Sequence, residues 1–321
     1  MSPEEVSVSS LSSFRIGNAQ NTAGGSGCTV ILCEKGAVAG VDVRGGAPAS
    51  HETELLHPVN TVDRIHAVVL SGGSAFGLEA TAGVMRFLEE KGVGFSVGPI
   101  TVPIVCGASL FDLAVGDGHC RPDKAMGYEA CLAAYRETPA EGNYGAGTGA
   151  TVGKWLGPER SMKSGLGIFA VRAGALIVAA VAAVNAVGDV VDAETGAPLA
   201  GLLSADGSRR ESTADALLAG APPLTTAGAN TTLVCVLSNA ALTKAQASKV
   251  ASMAHNGLAR TIRPAHTTMD GDTVFCMTDG TVPAPVDLTG FLAAYATAKA
   301  INRAVIRSRS AYGLKSYRDF L

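Results

Sequence analysis

A threonine hydroxyl is a weak nucleophile until a base stands beside it, and a chain cut just before a threonine supplies one, the freed α-amine. The stretch PPLTTAGANTTLVCVL, residues 222–237, has that layout. A run of small residues stops at Asn230, and an apolar strand pattern starts at Thr231-Thr232. The strand would seat the Thr231 hydroxyl rigidly. The loop before it would deliver the Asn230 carbonyl and later let it leave. Such an amine has a pKa of about 8, so its neutral form exists at neutral pH. The same residues would also serve as an ordinary strand start. Asn21-Thr22 is a rival site, but AGGSG follows it rather than a strand.

Four further features carry chemistry. Asp270-Gly271-Asp272 puts two carboxylates on one face of an extended backbone, with a glycine that admits a close neighbour. They could orient an amine or bind an ammonium, or form a plain turn. Asn185 ends a very apolar stretch, where an amide could hold an oxyanion or simply bond to backbone. Lys154 follows the glycine-rich GAGTGATVG, yet Thr148 and Trp155 stand where a phosphate loop needs Gly and Ser or Thr. Gly145, Gly147 and Ala150 give a weak dinucleotide-type pattern with no strand before it. SGGSAF, residues 71–76, follows a strand pattern and could hold an anion or merely pack tightly. Six histidines lack metal spacing, and His66 reads as a core residue. Seven cysteines lack any C-x-x-C pair, so neither a zinc site nor a disulfide framework is expected.

Periodicity supplies the elements that must position these groups. GCTVILCEKGAVAGVDVRGG reads as a hairpin turning near Lys35-Gly36. Residues 65–70 read as a strand, followed by a glycine turn and a helix to about Glu90. A second helix is predicted from about Ala125 to Tyr135. Residues 165–192 read as two buried strands joined near Ala173-Gly174, and residues 200–229 as mostly a mobile linker. After the 231–238 strand, Thr243 and Gln246 make a capping box for a helix that Pro264 ends. A short strand at DTVFCM and a helix over about 288–308 close the chain.

The composition is 47% hydrophobic, 17% charged and 5% aromatic, which suits closely packed α/β layers. A net charge of −3 gives no footprint for nucleic acid or an anionic membrane. The apolar run Ala173 to Val187 has 15 residues, short of the roughly 20 that a spanning helix needs. MSPEEVSVSS lacks the pattern of a signal peptide, so a cytoplasmic location is expected.

Together these pieces resemble a known family: the self-cleaving aminopeptidases and amidohydrolases that include L-aminopeptidase/D-esterases, β-peptidyl aminopeptidases and nylon-oligomer hydrolases. The likeness covers nearly the whole chain. It includes GCTVIL, GVDVRGGAP, LSGGSAFGLEA, PDKAMGYEA, GAGTGATVGK and NAVGDVVD, and is most specific at NTTLVCVLSNAALTK and PAHTTMDGDTVF. The resemblance implies a four-layer α/β/β/α sandwich similar to the N-terminal-nucleophile hydrolases. It implies one catalytic domain, 1–321, cut between Asn230 and Thr231 into fragments 1–230 and 231–321. By the resemblance Thr231 is the nucleophile, Lys154 and Asn185 stand beside it, and Asp270 and Asp272 are the acidic pair. A tyrosine of related sites falls on Phe111, so a phenol hydrogen bond in the substrate pocket is missing. The substrate would be a small peptide or amide, with no cofactor, no metal, no nucleic acid and no membrane. A homo-oligomer, a tetramer of αβ units, is expected. Two other readings stand beside this one. The first is an acyltransferase of the ornithine acetyltransferase type, which shares the self-cleavage logic. The second is a nucleotide-binding protein, which needs a phosphate-contacting lysine or a ribose-binding acid in register; the sequence has neither.

Overall fold

Along the strand that starts at the Asn-Thr-Thr seam, Thr231–Ala240, successive side chains enter different cores. Leu233, Cys235 and Leu237 point into one, and Val234 and Val236 into another. A strand buried on both faces reads as a continuous apolar run, and this is why TLVCVL shows no polar alternation. The computed structural model describes residues 3–224 and 230–321.

Ten strands make one sheet. They are β1 (Glu4–Val6), β2 (Arg15–Asn21), β3 (Ser26–Val43), β4 (Ser50–His51) and β5 (Arg64–Ser71). The rest are β6 (Val105–Ser109), β7 (Leu166–Ala173), β8 (Leu176–Asn185), β9 (Thr231–Ala240) and β10 (Thr273–Val282). Their order is β1-β7-β8-β9-β10-β3-β5-β6-β4, with β2 also on β3. The β9–β10 and β5–β6 pairs are parallel.

The predicted hairpin at Lys35-Gly36 is instead one 18-residue strand, β3. Gly36 takes a left-handed φ of +74°, and the register with β5 shifts between Leu32 and Ala37. The chain kinks there without reversing. Cys28 to Leu32 pair with β2 and β5, whereas Val38 to Val43 pair with β10. The strand therefore belongs to both halves of the sheet and lets one half face the other. Ile31, Leu70 and Cys106 meet Leu233, Cys235 and Phe275 in the core between them.

Helices cover the two outer faces. α1 (Ala80–Glu90) and α2 (Lys124–Arg136) pack Val84, Leu88 and Ala130 on Val30, Val69 and Val105. α4 (Lys244–Thr261) and α5 (Val286–Arg307) pack Val250, Leu258 and Ile301 on Val178, Val234 and Val236. The result is the α/β/β/α layering that the resemblance implied. The Thr243–Gln246 capping box forms at the start of α4.

The segment read as a linker is largely folded. Leu202, Leu203, Ser204 and Thr213 are buried, and α3 spans Thr213–Leu218. The buried Asp189 carboxylate accepts from Leu202 N at 2.8 Å and from Thr213 N and Oγ1 at 2.6 Å. One carboxylate thus ties a polar, small-residue segment to the core, a link that composition does not show. Residues 225–229, the last of that predicted linker, lie outside the described residues. Among the described residues no helix is long and apolar enough to cross a membrane. The run from Ala173 forms the end of β7 and all of β8.

Candidate active site

β9 seats Thr231 in the middle of the sheet, directly across from Asn185 at the end of β8. Thr231 is 2% exposed, and Asn230 and Asn185 are fully buried. The Thr231 hydroxyl donates to the carbonyl oxygen of Asn230, across the very bond in question. Gly271 N–H donates to that same oxygen at 3.1 Å. The carbonyl is therefore polarised by one fixed dipole while a hydroxyl lies against it. Gly271 allows the approach: a Cβ there would sit 2.7 Å from both Ala47 O and Thr231 Oγ1. The Asn230 amide donates to Met269 O at 3.3 Å, and its Oδ1 is buried without a partner among the described residues.

The Asp-Gly-Asp segment is extended, and Asp270 bridges Asn230 in parallel. Asp272 Oδ1 accepts from Thr232 N at 2.8 Å, and its Oδ2 accepts from His266 N and Nδ1, each at 2.9 Å. Asp270 accepts from Val187 N at 3.1 Å and from Thr267 Oγ1 at 2.5 Å. Asp272 thus holds the backbone just after the seam, and Asp270 holds the backbone just beyond the end of β8. Burial pushes the Asp270 carboxyl up to about 6, with the charge of Asp272 adding to the rise.

Lys154 donates to both the backbone oxygen and Oδ1 of Asn185, each at 2.9 Å. Thr151 N–H shares that Oδ1 at 3.0 Å. Because Oδ1 only accepts, the amide is oriented with Nδ2 toward Phe111 O, at 2.8 Å. The backbone donor on the Asn230 carbonyl is thus Gly271, and the Asn185 amide serves Phe111. Burial drives the Lys154 ammonium down to about 7, opposed by Asp270 and then Asp112. A lysine so placed is partly neutral at neutral pH and can take a proton.

A cavity of about 330 Å³ opens beside this lysine, lined by Phe111, Asp112, Thr151, Lys154, Leu224 and Tyr312 among others. Phe111 is one of its walls. Sequence reasoning missed two buried charges beneath. Asp112 accepts from Gly73 N at 2.7 Å and from Ser26 Oγ at 2.8 Å, and burial raises it to about 6. The amide that the SGGSAF turn could have offered to an anion is therefore taken by the protein's own carboxylate. Lys163 is fully buried and donates to the carbonyls of Gly147, Ala150 and Ser164 at 3.0, 3.0 and 2.5 Å. It braces the glycine-rich loop whose end presents Thr151 N–H to Asn185. The only signal for either was a single charge inside an apolar or small-residue run. The rival Thr22 lies in an exposed turn after β2. All seven cysteines are free thiols.

The chain matches known proteins along most of its length. The family model for peptidase family S58 covers residues 7–318. An uncharacterised aminopeptidase of Mycobacterium tuberculosis is 40% identical over 314 residues, 91% of this chain and 89% of the relative. A 6-aminohexanoate-oligomer endohydrolase of a Kocuria species is 33% identical over 275 residues, 84% of this chain and 74% of the relative. Among solved structures, the L-aminopeptidase D-Ala-esterase/amidase of Ochrobactrum anthropi, described as a variant of the Ntn hydrolase fold, superposes with a TM-score of 0.70. Its sequence identity is 16%, over 96% of this chain and 88% of that one. A Burkholderia β-aminopeptidase gives a TM-score of 0.65 at 18% identity, over 94% and 88% of the two chains. The fold is that of the Ntn hydrolases, and the chain belongs to peptidase family S58, as a hydrolase of amide or peptide bonds.

Proposed function

We propose that the chain is an autoproteolytic amide hydrolase whose nucleophile is Thr231. One observation carries this: the Thr231 hydroxyl and the Gly271 N–H converge on the carbonyl oxygen of Asn230. Before the cut Thr231 has no α-amine, so its proton must go elsewhere. Lys154 is held on Asn185, the cross-strand partner of Thr231, and its pKa of about 7 suits a base. Thr231 Oγ attacks the Asn230 carbonyl carbon as Lys154 takes the hydroxyl proton. Negative charge builds on the oxygen that Gly271 N–H already holds. The C–N bond then breaks, and the departing nitrogen takes a proton to become the α-amine of Thr231. Water hydrolyses the resulting ester and leaves fragments 1–230 and 231–321.

In the mature enzyme Thr231 attacks a substrate amide, with its own amine as base. Asn185 carries a second amide N–H besides the one on Phe111 O, and this would serve the substrate oxyanion. Asp272, already on Thr232 N–H, and Asp270 would hold the new amine. Substrate would enter by the cavity beside Lys154. Its walls of Phe111, Leu224 and Leu314 suit an apolar segment flanking the amide of a small peptide or a linear amino-acid oligomer. Assembly of αβ units into a homo-oligomer belongs to this reading. The exposed Phe95, Val97, Ile100 and Val102 share one face of a two-stranded hairpin and support it.

Intact mass and N-terminal sequencing of purified protein test the reading. Two fragments are expected, the second beginning Thr-Thr-Leu. Thr231→Ala should stay uncut and lose amide hydrolysis by about 10³-fold or more. Thr232→Ala should still cut, because Thr232 points to the opposite face of β9 from Thr231 and its hydroxyl has no partner among the described residues. A full-length chain with undiminished activity sinks the proposal.

A further inference from the structure

None of the six histidines stood out by spacing, yet His266 is hydrogen-bonded directly to Asp272 of the acidic pair. It precedes the Asp-Gly-Asp segment in a left-handed conformation, φ +57°. A non-glycine residue is held there only when its surroundings over-determine it. Here both its backbone N–H and its ring Nδ1 converge on Asp272 Oδ2, each at 2.9 Å. A carboxylate oxygen only accepts, so Nδ1 carries the hydrogen and the tautomer is fixed. The other oxygen of the same carboxylate takes the N–H of Thr232, the residue after the nucleophile.

The ring is braced in turn. His255, on α4, lies edge-on to it with centroids 4.7 Å apart and planes at 76°. The His255 Nε2–H donates to the carbonyl of Asp42, on β3, at 2.9 Å. A chain of fixed contacts therefore runs from β3 through His255, His266 and Asp272 to the backbone of β9. We propose that His266 is a positioning residue: it aims Asp272 at Thr232 N–H and so sets the Thr231 hydroxyl against the Asn230 carbonyl. It touches no reacting atom. The proposal rests on Thr231 being the nucleophile.

The test compares full-length His266→Asn, His266→Phe, His266→Ala and Thr231→Ala. Asparagine tolerates the left-handed conformation and places an amide N–H close to where Nδ1 stood. Phenylalanine keeps the ring against His255 but has no donor. Self-cleavage would be followed by mass, and turnover of an aminoacyl p-nitroanilide by absorbance. His266→Phe should slow cleavage and kcat by about 30–100-fold with KM little changed, because a misaimed nucleophile loses rate rather than binding. His266→Asn should recover to within about threefold of wild type. If the phenylalanine variant does not fold, the alanine variant is read in its place. Donorless variants that cut and turn over like wild type, or an asparagine variant as slow as they are, overturn the proposal. A dead Thr231→Ala beside a wild-type-like His266→Phe overturns this inference alone. An active Thr231→Ala overturns the nucleophile reading and this inference with it.

Discussion

Lys154 and Asp270 show what burial does to single side chains. Both are pushed toward neutrality, the lysine down to about 7 and the carboxyl up to about 6. If neutral Lys154 is the base for the cut, the cleavage rate should fall about tenfold per pH unit below 7 and level off above about 8. Asp270 stabilises the lysine's charged form, so Asp270→Asn should lower the lysine's pKa. The acid limb should then move to lower pH, even as lost orientation slows the reaction throughout. Lys154→Arg, which keeps its proton, should cut at least about 100-fold more slowly. Cleavage followed by mass from pH 5.5 to 9 in the three proteins decides it. A flat profile in wild type, or an arginine variant that cuts normally, removes Lys154 as the base.

At the scale of elements, the seat of Thr231 is made where β9 and the Asp-Gly-Asp segment touch. Gly271 is the contact. Gly271→Ala would put a methyl group into backbone at Ala47 O and into the Thr231 hydroxyl. The strain should cost about 1–3 kcal/mol. Moving the Gly271 N–H off Asn230 O should slow the cut by about 100-fold. Thermal melts and timed mass spectra read the two effects separately, and an alanine variant that cuts like wild type would show that this amide does nothing.

The sequence made part of this legible. NTTLVCVL showed a strand with no polar face, and the Asp-x-Asp spacing put both carboxylates along one edge. Gly271 was flagged for a close approach, although its neighbour could not be named. Partners far apart in the chain were not legible. Nothing local to Phe111 says that its carbonyl takes the Asn185 amide, 74 residues on. Nor does anything local to Asp189 say that it ties down Thr213. The Lys35-Gly36 turn was misread because a glycine with positive φ serves a kink as well as a reversal. Only the pairing of Val38 to Val43 with β10 decides between them.

For the molecule as a whole, the proposed cut would fall between two fragments that are woven together. β9 lies between β8 of the first fragment and β10 of the second, and β10 lies against β3 of the first. α4 and α5, both from the second fragment, cover strands of both. The halves have no surface along which to part. Both fragments should therefore elute together on native size exclusion and separate only in denaturant, and elution as two species would contradict this arrangement.

The weave bears differently on the molecule's return from the unfolded state. An unbroken chain searches for this fold alone, at any dilution. After the cut two bodies must first meet, and the unfolded side gains the freedom of a second independent particle. Recovery of the cut protein should then quicken with concentration over about a hundredfold range, while that of Thr231→Ala should not change. Maturation would thus work as a ratchet. The mature enzyme would persist through the height of its unfolding barrier rather than through any ease of reassembly.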